Sequence, residues 1–340
     1  MDVGLLTLGE LNPDPTTGVP ISEQQRIHEI LRSASLADEV GFAAFATGEH
    51  HSPSYLGTTP TVLLSAVAAR TERIRLRSGL TLLPSRDPVL LAEDFATLDH
   101  ISNGRADIVV GKGIYPEPLE IFGPDKDLVD EVYYEKIDLL LRLLRETDVT
   151  WSGDHRGPLV GVTTRPRPLQ DPFPVWLGVS GSERSLVFAG ERGLSVMFGG
   201  LFQTPSHYAG LLEVYRRAAA DAGQDLSRAL VATTSHAHVA RRSQDAKRRW
   251  RPYHSNYFQS NRGRSSREVN LPPWEELTGP TGLALCGSPA EIVDRLSEMR
   301  ETLGHDLHFL QLDLGGLPWP LLAESIELIG SEVIPALASR

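Results

Sequence analysis

Eight short apolar runs, each followed by a longer amphipathic stretch, divide this 340-residue chain from end to end. The runs lie near residues 3–8, 42–46, 74–79, 106–110, 175–179, 194–198, 230–234 and 307–312, and their length and their Val, Leu and Ile content suit buried strands. Helix-like stretches lie between them near 22–40, 59–71, 88–101, 129–145, 182–192, 205–222, 243–259 and 289–302, with a last one near 321–336. A strand followed by a helix and another strand crosses over and pairs in parallel, and eight such units are the number that closes a (β/α)8 barrel. The predicted fold is therefore α/β, a (β/α)8 TIM barrel forming one domain over residues 1–340.

Local signals support these boundaries. Ser22 followed by Glu23 and Gln25, and Ser288-Pro289 followed by Glu291, read as capping-box starts, and Gly41, Gly193 and Gly304 stand where a helix hands over to a strand. Two stretches break the alternation. Residues 149–168, with "TWSGDHRGPLV" and a Pro-rich run, read as a hairpin or extended insertion after strand four. Residues 262–287, after the helix following strand seven, are rich in Gly, Pro, Ser and Arg and read as a lid, with Trp274 as the substrate-covering residue. An ordered surface loop with Trp274 packed on a neighbouring helix is the competing expectation.

Composition excludes several classes. The formal net charge of −11 disfavours nucleic acid as a partner, and the basic cluster over residues 241–251 reads as a solvated helix face. No apolar run approaches the length of a membrane span. The lone Cys286 forms no intramolecular disulfide, and no secretory signal is evident at the start, so a cytoplasmic location is expected.

In a barrel of this kind the site lies at the C-terminal ends of the strands, and four of those ends are unusual. After strand two comes "ATGEHHSPSYLG", which sets Glu49, His50 and His51 directly behind an apolar run. Taken alone the histidine pair also suits a turn in which both rings bond the neighbouring backbone. Adjacent histidines point in different directions, and no spaced carboxylates complete a ligand set with them, so no metal is expected. After strand three comes "GLTLLPSRDP", where Gly79 permits either a kink or a close approach to a ligand. After strand four, "GKGIYPEP" holds Lys112 between Gly111 and Gly113, and after strand five "VSGSERS" opens a helix with small residues that suit phosphate binding or plain serine capping.

Together, "GEHHSPSYLG", "GLTLLPSRDPVLLAEDFATLDHISNGRADIVVGKGIYPEP", "PVWLGVSGSERSLVFAGERGLSVM" and "LCGSPAEIVDRL" resemble the bacterial luciferase-like flavin monooxygenases in order, spacing and content over nearly the whole chain. The resemblance implies a (β/α)8 barrel that takes reduced FMN from a separate reductase, reacts it with O2 to a C4a-peroxyflavin and oxygenates a small organic substrate, with the chain acting as a homodimer. Residue by residue, it implies that His50 is catalytic and that Glu49 and His51 complete the cofactor-side "EHH". Gly79 and Leu80 match a pair beside the isoalloxazine ring that is often joined by a non-prolyl cis peptide. Lys112 matches an Arg of luciferases, and Val179, Gly181, Ser182 and Ser185 match the residues that hold the FMN phosphate. Two departures stand out. Asp130 aligns with a phosphate-binding arginine and would repel the phosphate, leaving Arg184 to supply the charge, and Gly111 replaces a reactive Cys of some luciferases. A deazaflavin-dependent hydride-transfer oxidoreductase and a non-catalytic flavin-binding relative remain the alternatives. Long-chain aldehyde, terpene and aromatic polyketide substrates are all compatible with the sequence.

Overall fold

The computed structural model describes residues 1–199, 203–262 and 271–339. Its strands are β1 (Asp2–Thr7), β2 (Ala44–Thr47), β3 (Arg75–Ser78), β4 (Ala106–Gly111), β5 (Val175–Val179), β6 (Ser195–Phe198), β7 (Val231–Val239) and β8 (Leu307–Gln311). Each pairs in parallel with the next, and β8 pairs with β1 through registers such as Gly4↔Phe309, so the sheet closes into the expected eight-stranded barrel.

The longer helices are α1 (Glu23–Val40), α2 (Pro60–Ala68), α3 (Pro88–Ile101), α4 (Val129–Arg145), α5 (Glu183–Glu191), α6 (Pro205–Asp221), α7 (Ser243–Ser260), α8 (Pro289–Leu303) and α9 (Trp319–Leu328). The capping box at Ser22 forms in both directions with Gln25, and Gly41 ends α1 at φ 95°, a left-handed value that favours glycine. The expected interruption after strand four is an antiparallel hairpin of Val149–Trp151 with Leu159–Val162. After β7, helix α7 packs on the short strand Leu285–Gly287 and on the turn Leu314–Gly316 beyond β8, so it belongs with the insertion that follows it. Helix α8 then leads into β8. Among the described residues no helix is long and apolar enough to cross a membrane.

The period-2 alternation of each strand separates two apolar regions. Val3, Leu5, Phe45, Leu76, Ile108, Leu177 and Val196 point outward to the helices, whereas Leu6, Ala46, Val109, Trp176, Met197, Ala232 and Phe309 fill the barrel interior. Gly4 belongs to the filling: a Cβ there would lie 2.4 Å from the Phe309 ring. Arg77 also points inward, with its guanidinium 3.8 Å from the centre of the Trp176 ring and ion-paired to the buried Asp107.

Five imidazoles are buried in this frame: His236, His238, His254, His305 and His308. Burial pushes His238, His254 and His305 down to about 4 and holds His236 and His308 well below the usual histidine range. The unfolded chain therefore takes up protons from about pH 6.5 downward that the native state refuses, until about pH 4 in the case of His238, His254 and His305. The stability contributed by neutral, buried rings is present above pH 6.5 and lost as pH falls towards 4. Each ring costs on the order of 1–2 kcal/mol by pH 5, so the melting temperature at pH 5 should lie about 10 °C or more below its value at pH 7.5. A melting temperature flat across that interval, measured by calorimetry, would contradict the neutral assignment.

Candidate active site

The C-terminal end of β2 begins the site. Gly48 carries the chain past a tight spot, since a Cβ there would lie 2.6 Å from Leu8 Cδ2 and 3.0 Å from the Gly79 carbonyl. The Glu49 N–H then donates to the Leu80 carbonyl at 3.0 Å. The Glu49 carboxylate is buried and fully engaged: Oε1 accepts from His51 Nε2 at 2.8 Å and Arg86 Nε at 2.9 Å, and Oε2 accepts from the Leu82 N–H at 3.0 Å. Glu49 and His51, expected on the cofactor side, are held to each other: a carboxylate with three donors binds β2 to the segment after β3, and the His51 ring stands edge-on to Phe122 at 4.7 Å. Arg86, which sits in "LPSRDP", escaped the sequence reading because nothing local shows that it reaches back to Glu49 and the Thr58 carbonyl.

His50 alone of the three faces the mouth. Its ring stacks on Tyr55 at 4.4 Å and 25°, with Tyr115 edge-on at 5.2 Å. The Tyr55 hydroxyl donates to Asn261 Oδ1 at 2.8 Å, just beyond the end of α7. Burial, with His51 beside it, pushes the His50 imidazole down to about 4, so the ring is neutral at physiological pH, and its buried Nδ1 has no hydrogen-bond partner among the described residues.

The floor of the mouth is Leu80. The Gly79–Leu80 peptide is cis, as the resemblance implies. Leu80 lies across two strand glycines: a Cβ at Gly111 or Gly178 would come within 2.5 or 2.6 Å of Leu80 Cδ2. Gly111 is therefore the seat of Leu80, and a side chain there would displace it.

A second cluster joins the ends of β4 and β5. Lys112 Nζ donates to Asp130 Oδ1 at 2.6 Å, and Arg184 Nη1 lies 3.6 Å from Asp130 Oδ2 while its guanidinium covers the Tyr134 ring at 4.4 Å. Asp130, expected to repel a phosphate, is bracketed by two cations, which leaves a net positive charge. Ser182 caps α5 by accepting from the Ser185 N–H at 3.3 Å, and the Ser185 hydroxyl meets the Tyr134 hydroxyl at 3.0 Å. Gly181 takes φ 121°, and a Cβ there would meet nothing within 4 Å. Val179 turns its side chain into the core, so only its backbone is available to a ligand. Lys112, Arg184 and the free amides of α5 are donors of the chemistry that a flavin phosphate needs, beside open space.

Trp274, expected as a lid residue, packs on α7 instead, 5.9 Å from the Trp250 ring and 5.5 Å from His254. An apolar ring gains more from that aromatic cluster than from an open mouth. Residues 263–270 of the proposed lid lie outside the described residues. His236, with Tyr257 at 5.1 Å and a buried Nε2 that has no partner, is a polar group near the strand ends that the sequence reading missed. Among the described residues no three His, Cys, Asp or Glu side chains gather as metal ligands.

The description "luciferase-like monooxygenase" belongs to the family model that matches residues 1–306. The oxygenase component of the flavin-dependent trigonelline monooxygenase of Acinetobacter baylyi is 26% identical over 338 residues, covering 93% of this chain and 91% of that protein. Limonene 1,2-monooxygenase of Rhodococcus erythropolis is 27% identical over 326 residues, covering 91% of this chain and 81% of that protein. Among solved structures, the monooxygenase RslO1 from Streptomyces bottropensis aligns with a TM-score of 0.88 at 26% identity, over 98% of this chain and 99% of that one.

Proposed function

The chain belongs to the luciferase-like monooxygenase family, and from that premise we propose that it is the oxygenase component of a two-component flavin system, using reduced FMN and O2 to oxygenate a small organic substrate. The observation that carries this reading is the pairing, at one barrel mouth, of a neutral imidazole with an unpartnered Nδ1 at His50 and a cationic helix start at Lys112, Arg184 and α5. The relative named a flavin-dependent monooxygenase, oxygenase component, supports a flavin cofactor and a separate reductase. Its substrate and that of the limonene enzyme differ, so the substrate of this chain is set by its own mouth. The same reading takes residues 1–340 as one domain working as a homodimer.

Bound reduced flavin would supply the electrons that activate O2. The chain does the rest. Lys112, Arg184, Ser182, Ser185 and the α5 amides hold the phosphate, with Asp130 fixing the two cations in place. Leu80 and its glycine seats give an apolar floor that excludes water. His50 holds or moves a proton at its Nδ1, and Tyr55 and Tyr115 fix the ring.

Replacing Ser182 and Ser185 together by Ala should weaken FMN binding by about 1–3 kcal/mol, the scale of hydrogen bonds to a charged group. Fluorescence titration with FMN, reduced FMN and a deazaflavin, followed by oxygen consumption with a flavin reductase present, tests the placement and the cofactor together. An FMN dissociation constant unchanged in the double variant would remove the phosphate from this loop.

A further inference from the structure

Behind the mouth, a cleft of about 640 Å3 opens between the loop after β1, the start of α1 and residues 313–320. Its inner wall holds two carboxyl groups and one cation. Glu10 is 3% exposed: its Oε1 accepts from Gln311 Nε2 at 3.1 Å, and its Oε2 accepts from Asn12 Nδ2 at 3.1 Å and the Gly315 N–H at 2.9 Å. Asp313 Oδ2 accepts from the Thr7 hydroxyl at 2.5 Å and from Arg26, whose Nε also donates to the Glu10 carbonyl at 2.8 Å. Arg26 is shared further with Glu29. The charges facing Glu10 are thus Asp313 after β8 and Arg26 with Glu29 on α1, and Tyr55 and Tyr257 face it from the mouth.

One guanidinium does not balance the two buried carboxylates, and an uncompensated buried charge is removed by protonation. Burial first, and Asp313 second, push the Glu10 carboxyl up to about 8. A hydrogen-bond vacancy agrees with this independently. Among the described residues Gln311 Oε1 is buried without a partner, and turning that amide by 180° would set its carbonyl against a Glu10 O–H. On the mouth side, Tyr55, Tyr115 and Tyr257 lie close together, and the Tyr55 ring stacks on His50. Glu10 and Tyr55 are also paired directly through a backbone bridge.

We propose that Glu10 is a positioning residue that holds a proton for the mouth, passes it to the Tyr55–Tyr257 hydroxyls that border His50, and is reprotonated from solvent in the cleft behind it. In each transfer the Glu10 side chain turns to Tyr55, its neighbour across the backbone bridge; the O–H bond of the carboxyl breaks and one forms at the Tyr55 oxygen, whose own proton moves on to the oxygen atom leaving as water. No electrons pass through the chain of hydroxyls, and a proton from bulk buffer, entering through the cleft, restores the carboxyl. The delivery step rests on the oxygenase reading, but the held proton does not.

Two measurements separate them. Infrared spectra of the flavin-free full chain, taken from pH 6 to 9.5, should show a protonated-carboxyl band that disappears with a midpoint near 8 and is missing in Glu10→Gln. Because the native state keeps a proton that the unfolded chain releases above about pH 4.5, this carboxyl stabilises the fold at low pH and the contribution fades as pH rises through 8. The melting temperature of the wild type should accordingly fall relative to Glu10→Gln between pH 5 and 9. Gln311→Leu, which removes the amide contact and leaves the carboxyl, should shift the band's midpoint and serves if Glu10→Gln does not fold. In turnover, the wild-type oxygenation rate should drop above about pH 8, while Glu10→Gln should be about tenfold slower at pH 7 and lack that limb. Absence of the band in the wild type would overturn the held proton. A titrating band with identical pH–rate profiles in the two proteins would overturn delivery and leave the oxygenase reading standing, whereas a titrating band with no oxygenation by the wild type would overturn that reading and delivery with it.

Discussion

Replacing His50 by alanine is expected to lower product formation about 10²-fold or more while leaving reduced-flavin binding nearly intact. The two effects separate because His50 sits at the end of β2 among Tyr55 and Tyr115, whereas the cationic cluster lies at the ends of β4 and β5. With the ring held to about 4, His50 carries no charge from pH 6 upward and cannot act by attracting an anion. What alanine removes is a neutral acceptor or donor at Nδ1 and the packing partner of Tyr55. His50→Asn restores a polar group without the imidazole's proton chemistry and separates these losses. Product per reduced flavin and H2O2 release should move in opposite directions in both variants. The wild-type pH profile should show no inflection near 6.5 belonging to this residue. Product yield at the wild-type level in His50→Ala would leave the ring without an essential role.

The sequence carried the barrel because period-2 runs and helix caps are local signals, and each of the eight runs became a strand. It carried the placement of the candidate residues at strand ends for a similar reason, since polar residues that follow an apolar run must sit at a strand end. It did not carry how the polar groups divide the work. Glu49 reads as a site residue in "GEHH", but nothing local shows that it bonds Arg86 and Leu82, partners more than thirty positions away. Asp130 reads as an obstacle, because only the fold shows Lys112 and Arg184 on either side of it. Trp274 reads as a lid because "PPWEE" has no period, and its partners Trp250 and His254 lie on a helix that the pattern assigned to the barrel wall. Glu10 was missed altogether: a single acid after β1 looks like solvated loop until Asp313, about three hundred residues later, is folded against it.

The largest loss of stability is expected from Asp107→Ala, about 3–5 kcal/mol, the scale of breaking a buried ion pair on one side only. Arg77 is 2% exposed inside the barrel, and Asp107 is the only carboxylate with which it pairs among the described residues. The bond from Arg77 Nε to Asp107 Oδ2 is 3.1 Å, and Nη2 makes a second, closer one to the same oxygen. Arg75, more exposed, holds the other oxygen and can turn to water when Asp107 is lost. Arg77 cannot: Trp176 and Phe309 cover its guanidinium, and its Nη1 is already buried without a partner among the described residues. The penalty is therefore the unpaired charge, not the lost bond. That distinction predicts the behaviour of the double variant. Arg77→Met with Asp107→Ala removes both charges and should recover most of the stability, leaving a cavity cost of about 1–2 kcal/mol. For a chain of this length, the single variant should melt about 4–7 °C below the wild type by calorimetry. A single variant that loses less than about 1 kcal/mol, or a double variant no more stable than the single, would mean that water reaches the guanidinium and that the barrel interior is not dry at this level.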